Sequence, residues 1–216
     1  NFLEKKFDVN KDIFKKHKIK ITKNIHFKTP NLKPSSWPIS MGKSIIEYSK
    51  VLEKIKPDMV ILTGDRIETL AMCITASYLS IRIAHVQAGD KSGHIDDLNR
   101  SAIAKFAHLH FASSNDACKR LLSLGEEKKR IFLTGAPQLE DIKPNKVYNY
   151  SSNYFVIIFH PVFNEFESIK NQTINLINSI KEFKNYDFYW IFPNNDMGHN
   201  IILSELKNTK VKNLKI

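Results

Sequence analysis

Between Asp58 and Thr134 the chain alternates short apolar runs with stretches of helical periodicity, and this alternation limits the possible folds more than any other feature. The runs are Asp58–Thr63 (DMVILT, closed by Gly64), Ile81–Val86, Leu109–Ala112 and Ile131–Thr134, the last ended by Gly135 and Pro137. Each is too short for a helix and predominantly apolar, which reads as a strand buried in a parallel sheet. The segments between them read as amphipathic helices. Asp65–Glu68 opens one whose apolar residues fall at Ile67, Leu70, Ala71, Ile74 and Tyr78. Asp96 and Asp97 start a second, with Leu98, Ala102, Ile103 and Phe106 on its inner face. Ser113 or Ser114 caps a third, which ends near Gly125. Strands separated by helices in this way predict an α/β fold with a parallel, doubly wound sheet.

The flanks extend the pattern. Ile45, Tyr48, Ser49, Leu52 and Ile55 outline a helix that Pro57 stops, Pro30–Pro38 reads as a loop, and the first residues give a lysine-rich helix followed by a strand near Ile19–Phe27. From Gln138 to Asn153 the apolar density falls, among Pro144, asparagines and serines. Beyond it lie a strand over Tyr154–Phe159, a long helix over Phe166–Phe183, a strand over Asp187–Phe192, a short helix after Asn195 and an extended tail. The expected organisation is a first α/β domain over 1–140, a linker over 141–153 and a partial second domain over 154–216. With Asn1 at its start and Leu214-Lys215-Ile216 inside an alternating pattern at its end, the sequence is expected to be a fragment.

Composition removes several classes. Hydrophobic residues at 42% and aromatics at 11% can build a core, which excludes wholesale disorder. The longest apolar run, Tyr154–Phe159, cannot span a bilayer, and no leader pattern opens the chain. Two distant cysteines, Cys73 and Cys118, read as reduced thiols in a cytoplasmic protein with no membrane partner. The net charge of +11 comes from lysines spread over both halves, with no motif of a nucleic-acid-binding module, so no nucleic-acid partner is expected.

Ligands of open parallel sheets bind at the carboxyl ends of the strands. Those ends here are Gly64-Asp65-Arg66, His85-Val86-Gln87-Ala88-Gly89-Asp90 and Gly135-Ala136-Pro137, with His160-Pro161 and Pro193-Asn194-Asn195-Asp196 in the second unit. Structural explanations compete. Asp65 followed by Glu68 has the spacing of a capping box, and Asp96 and Asp97 suit the positive end of a helix, where one carboxylate suffices and leaves the other for other work. His108 and His110, with His85 and His94, raise the question of a metal, but no cysteine or paired-histidine helix spacing supports one. Gly42-Lys43-Ser44 lacks the earlier glycine of a phosphate-binding loop, because Trp37 stands in its place. Asn149-Tyr150-Ser151 and Asn171-Gln172-Thr173 match a glycosylation pattern without a secretory context.

Thr63-Gly64-Asp65-Arg66-Ile67-Glu68-Thr69-Leu70-Ala71, Ile83-Ala84-His85, the stretch from Ala88 to Asp97 (AGDKSGHIDD) and that from Ala102 to Phe111 (AIAKFAHLHF) together resemble the UDP-N-acetylglucosamine 2-epimerase family. Gly135-Ala136-Pro137, His160-Pro161-Val162 and Phe192-Pro193-Asn194-Asn195-Asp196 extend the resemblance more weakly. GDR followed by an acidic residue, a serine–glycine pair before two aspartates, and A-H-x-H-F are similar to the hydrolysing branch, which makes sialic-acid-type precursors. The GDT and proline–glutamate–glutamate stretch of the non-hydrolysing branch are absent.

The resemblance implies a GT-B-like fold of two Rossmann-like domains, the second incomplete here. It also implies a reaction without cofactor or metal: UDP is eliminated across C1–C2 of a UDP-linked 2-acetamido sugar, and hydration then yields the C2-inverted free sugar. By the same resemblance Asp65 and Asp96 are catalytic acids and bases, and Gln87 stands where many relatives carry a third catalytic carboxylate. Arg66, His160 and Asn194 are implied nucleotide contacts, and the full-length protein is implied to be a homodimer. His85, in the same strand-end cluster, is a candidate sugar contact, and Asp90, three residues after Gln87, a candidate carboxylate in the substrate site. Gln87, and Ser101 where a histidine is usual after Arg100, depart from the family pattern. They leave two alternatives, a shifted substrate and a sugar-nucleotide-binding module without activity, beside the non-hydrolysing epimerase.

Overall fold

The four apolar runs of the first half become β1 (Met59–Thr63), β2 (Arg82–Ala88), β3 (Leu109–Ala112) and β4 (Ile131–Leu133). The computed structural model describes residues 14, 16–25, 36–93, 95–140, 142, 153–194 and 196–216. Neighbouring strands pair in parallel, in the order β1-β2-β3-β4, with no antiparallel pair among them. The helices are α1 (Ser36–Ile55), α2 (Ile67–Tyr78), α3 (Ile95–Phe106) and α4 (Asn115–Ser123). With strand order following chain order, the right-handed rule for parallel crossovers carries α2, α3 and α4 to one face of the sheet. Leu62, Ile83, His85 and His110 are buried, and the register pairs Leu62 with His85 and His85 with His110 across that face. Met59 and Ile61 alternate to the other face and are exposed.

Leu52, Leu62, Cys73, Ala76, Ile83, Ile103 and Ala107 form one core cluster, and Ala88, Ala104, Ala112, Ala117 and Leu121 a second. The alanines of the second let α3 and α4 approach the sheet closely, and each larger aliphatic side chain in either cluster contributes about 1.5–3 kcal/mol through burial.

Several expectations are corrected. Residues 19–25 carry no strand, and Ile19 and Ile21 are exposed; the remaining expected positions up to Phe27 lie outside the described residues. Among the described residues no strand neighbours this segment, and an alternating pattern without a partner has no ladder to join. Helix α1 already starts at Ser36, so Pro38 sits in its first turn, where a missing N–H costs nothing. On α2, Tyr78 is exposed while Ala71, Cys73, Thr75 and Ala76 are buried, because this helix packs against α1 and α3 as well as the sheet. On α3, Leu98 and Phe106 are exposed and the buried stripe is Arg100, Ile103 and Ala104. An arginine drawn inward has turned that helix about its axis.

The chain separates into two compact units, Asn1–Ile142 and Lys143–Ile216. The linker expected over 141–153 lies, apart from Ile142 and Asn153, outside the described residues. The second unit has parallel strands β5 (Tyr154–Ile158), β6 (Asp187–Ile191) and β7 (Leu214–Lys215) in that order, with α5 (Ile169–Glu182) and α6 (His199–Lys207). The helix expected from Phe166 begins as a tighter turn over Phe163–Ser168 and becomes α-helical at Ile169. Ile169, Ile177, Ile180, Phe188, Trp190, Ile202 and Leu206 form its core. No helix among the described residues is long and apolar enough to cross a membrane.

Candidate active site

Parallel pairing of Thr63 with Val86 sets Gly64-Asp65-Arg66 beside Gln87 at the carboxyl edge of the first sheet. Asp65 does not cap α2, whose N-cap position is Arg66 without a side-chain cap bond. Its Oδ2 instead accepts a hydrogen bond from Arg100 Nη2 on α3, within an ion pair whose side chains are only 16% and 11% exposed. Arg100 Nη1 donates to the Asp90 carbonyl at 2.8 Å and lies 3.5 Å from Asp97 Oδ1. One guanidinium thus ties the turn after β1 to the loop after β2. Arg100 was not among the site residues expected from sequence. A guanidinium in line with Ile103 and Ala104 on a helix that packs on the sheet is the signal that could have found it.

The two aspartates at the start of α3 divide their work. Asp97 accepts from Ser92 N–H at 2.5 Å, Ser92 Oγ at 3.0 Å and Gly93 N–H at 2.6 Å, closing the loop onto the helix. Burial pushes its pKa up, but these donors and Arg100 outweigh it and hold the carboxyl below its ordinary value. Asp96, half-buried in the same first turn, precedes Arg100 by four residues and so shares its side of the helix.

Gln87 lies in a β-bulge between Val86 and Ala88 and adopts φ 60°, a left-handed conformation that costs a side-chain-bearing residue free energy. The bulge takes its half-buried side chain out of the ladder's alternation. Asp90 Oδ1 accepts from Ser113 Oγ, and the Gly89 carbonyl accepts from Arg120 Nε at 2.6 Å. A cavity of about 340 Å³ adjoins this loop, lined by Asp90, Asp97, Arg100, Ser101 and Arg120 among others. Arg66, 40% exposed, donates from Nε to Glu68 Oε2 at 3.4 Å.

His85 was expected to contact the sugar. Its ring is fully buried, because its register on β2 turns it under the helices, and Nε2 lies 2.8 Å from the Gly64 carbonyl. A carbonyl only accepts, so the proton is assigned to Nε2, which leaves Nδ1 without a partner among the described residues. Burial pulls this imidazole down to about 4, so it is neutral at pH 7. His110, also fully buried, places Nε2 3.2 Å from Glu126 Oε2. Burial lowers its pKa too, against the pull of Glu126. Lys105 and Arg130 reach the same carboxylate at 2.9 and 3.3 Å. His108 precedes β3, is exposed, and accepts the Ile83 N–H on Nδ1 at 3.3 Å. Among the described residues no three histidine, cysteine or acidic side chains gather in a way that could hold a metal ion; His94 lies outside them.

In the second unit, His160 follows β5 and Asn194 follows β6. Asn194 N–H donates to His160 Nδ1 at 3.2 Å, and Asn194 Oδ1 accepts from Asp196 N–H at 3.3 Å, so the two strand ends are pinned together.

Residues 7–216 match the family model described as UDP-N-acetylglucosamine 2-epimerase. The chain is 34% identical over 183 residues to the UDP-N,N'-diacetylbacillosamine 2-epimerase (hydrolyzing) of Legionella pneumophila, covering 80% of this chain and 48% of that protein. It is 32% identical over 177 residues to the UDP-N-acetylglucosamine 2-epimerase of Neisseria meningitidis serogroup B, covering 77% and 46%. The crystal structure of UDP-GlcNAc 2-epimerase from Neisseria meningitidis bound to UDP-GlcNAc superimposes with a TM-score of 0.71 at 21% identity, over 94% of this chain and 59% of that one, a likeness of fold. The chain spans about half the length of the curated relatives it matches. Its fold is α/β and GT-B-like, and it belongs to the UDP-N-acetylglucosamine 2-epimerase family.

Proposed function

We propose that the whole protein is a hydrolysing 2-epimerase of a UDP-linked 2-acetamido sugar, releasing UDP and the sugar inverted at C2. The observation that carries this reading is the Asp65–Arg100 pair at the mouth of the first sheet. The carboxylate is held through Oδ2, and Oδ1 has no partner among the described residues. Similarity to the Legionella enzyme, whose name specifies hydrolysis, supports the hydrolysing outcome.

The chemistry needs a base at the C2 proton, relief of charge on the departing diphosphate and a second proton transfer. In this reading Asp65 and Asp96 handle the protons. One takes the C2 proton while the C1–O bond breaks and its electron pair leaves on UDP, which forms the glycal. Water then adds oxygen at C1 as a proton reaches C2 from the opposite face. The forked donors of Arg66 suit the diphosphate. His160 and Asn194 serve the nucleotide, and Asp90 serves the sugar side. Gln87, a neutral amide, both donates and accepts, which suits an added acetamido group better than a carboxylate would. The favoured substrate is accordingly a UDP-diacetamido sugar. Family resemblance implies a homodimer for the whole protein, and the two free cysteines, Cys73 and Cys118, fit a cytoplasmic location.

Proton NMR of the products formed from UDP-N-acetylglucosamine and from a UDP-diacetamido sugar tests this. Free UDP together with a C2-inverted free sugar supports it. The name of the Neisseria relative does not specify hydrolysis, which leaves a second reading, in which a UDP-linked epimer appears and no UDP is freed. Neither product from either substrate would overturn both and leave a binding module, the alternative that a non-acidic residue at Gln87 and the departure at Ser101 keep open.

A further inference from the structure

We infer that His85 is a positioning residue for Asp65, acting through the backbone of Gly64. The inference deepens the proposed reaction and rests on it for the role of Asp65.

Gly64 leaves β1 with φ 77°, so its peptide groups depart from the strand ladder. Both are nonetheless held by β2. Its N–H donates to the Val86 carbonyl at 3.2 Å, and its carbonyl accepts from His85 Nε2 at 2.8 Å. That carbonyl belongs to the peptide bond leading into Asp65. The imidazole therefore fixes the plane from which the Asp65 side chain departs, while Arg100 fixes the far end of that side chain. Two groups on different elements set one carboxylate, which leaves it little freedom to rotate.

The ring is suited to this and to little else. It has no exposed surface among the described residues, and its one polar contact there is the Gly64 carbonyl. Its charge is excluded by burial, so it serves as a donor and not as a cation. His110 occupies the next register position on β3, itself anchored to Glu126, and walls the ring on that side. An apolar residue would fill the same volume, so the choice of a histidine, one of whose buried nitrogens has no partner among the described residues, is explained by the bond its other nitrogen makes.

The test compares His85→Leu, which fills the space without a donor, with His85→Gln, whose amide N–H can reach the same carbonyl. In His85→Leu the Gly64 amide should exchange with solvent about tenfold faster or more, while amides of β3 and β4 keep their rates. In His85→Gln the Gly64 rate should return to within about threefold of the parent. In the whole protein, His85→Leu should lower kcat for UDP release roughly 10–100-fold with KM nearly unchanged, and His85→Gln should recover most of it. Unchanged Gly64 exchange in His85→Leu overturns the inference. So does a His85→Gln variant as loosened or as slow as His85→Leu, including the case where both variants loosen the entire first unit. If the parent protein releases no UDP, the proposed function fails, and the exchange measurements still decide whether His85 positions this turn.

Discussion

Gly89 and Gly64 share a backbone conformation but not surroundings, which allows a sharp prediction about how the loop after β2 is seated. Their φ values are 76° and 77°. A Cβ on Gly64 would meet nothing within 4 Å, so Gly64→Ala should cost only the left-handed conformation of an alanine, about 1–2 kcal/mol. A Cβ on Gly89 would lie 2.4 Å from the Ala117 carbonyl oxygen and 2.9 Å from Leu121 Cγ. The first is helix backbone and the second a fully buried side chain, so neither yields easily. Adding an overpacking cost of about 1–3 kcal/mol puts Gly89→Ala at about 2–5 kcal/mol. The difference isolates the clash with α4. It also reaches the site, because the Gly89 carbonyl takes Arg120 Nε and the next residue's carbonyl holds Arg100. Urea-dependent amide exchange of peptides from Met59–Ala112 would read the stability of the first unit without interference from the second. If the two variants agree to within about half a kcal/mol, α4 yields freely and the reasoning about close packing at Gly89 is wrong.

The imidazole of His85 should show no protonation above pH 6 when its ring protons are followed by NMR. Because its pKa drops from an ordinary 6.5 to about 4 on folding, the unfolded chain alone takes up a proton between those values. Stability is therefore full above about pH 6.5 and falls by about 3 kcal/mol as pH drops towards 4, a loss that His85→Gln should remove; a flat profile in the parent would contradict the burial argument. Asp65→Asn and Asp96→Asn in the whole protein should each slow UDP release by about 10²–10⁴-fold with nucleotide binding retained, measured by turnover and by titration calorimetry, and undiminished turnover would leave both as structural residues. Gln87→Glu should weaken turnover of a UDP-diacetamido sugar relative to UDP-N-acetylglucosamine, and an unchanged ratio would remove Gln87 from substrate selection.

The strands were legible because parallel strands carry apolar residues on both faces, so a run such as Met59–Thr63 stands out without any periodicity, although among the described residues only one of its faces is covered and Ile61 is exposed. Helix faces were harder to read. Periodicity locates a stripe only when one neighbour does the burying, and α2 packs on α1, α3 and the sheet together. Its smallest residues, Ala71, Cys73, Thr75 and Ala76, went inside while Tyr78 stayed out. Hydrophobicity favours the reverse, but close packing against several elements selects for volume. The strand near Ile19 failed for another reason: strand identity depends on a pairing partner, which no local pattern encodes.

The site shows the same limit more sharply. Sequence position placed Asp65, Gln87, His160 and Asn194 at strand ends, because connectivity in a parallel sheet determines which residues emerge there. It could also reason that one of Asp96 and Asp97 would suffice to cap α3, and the loop amides and Ser92 hydroxyl chose Asp97. What local reasoning could not supply was the direction of a buried polar side chain. His85 and Arg100 occupy positions that periodicity assigns to core aliphatics, and each is inside because a polar group from a distant part of the chain, the Gly64 carbonyl or the Asp65 carboxylate, waits there. A buried polar residue is tolerated only where its bonds are made, so its presence on a core stripe is evidence of such a partner. Asp65 is the nearest charged residue after β1, and both buried side chains converge on its turn. In the proposed reading the motif of this chain therefore extends beyond its acidic residues: His85 on β2, through Gly64, and Arg100 on α3 together hold the Asp65 carboxylate still.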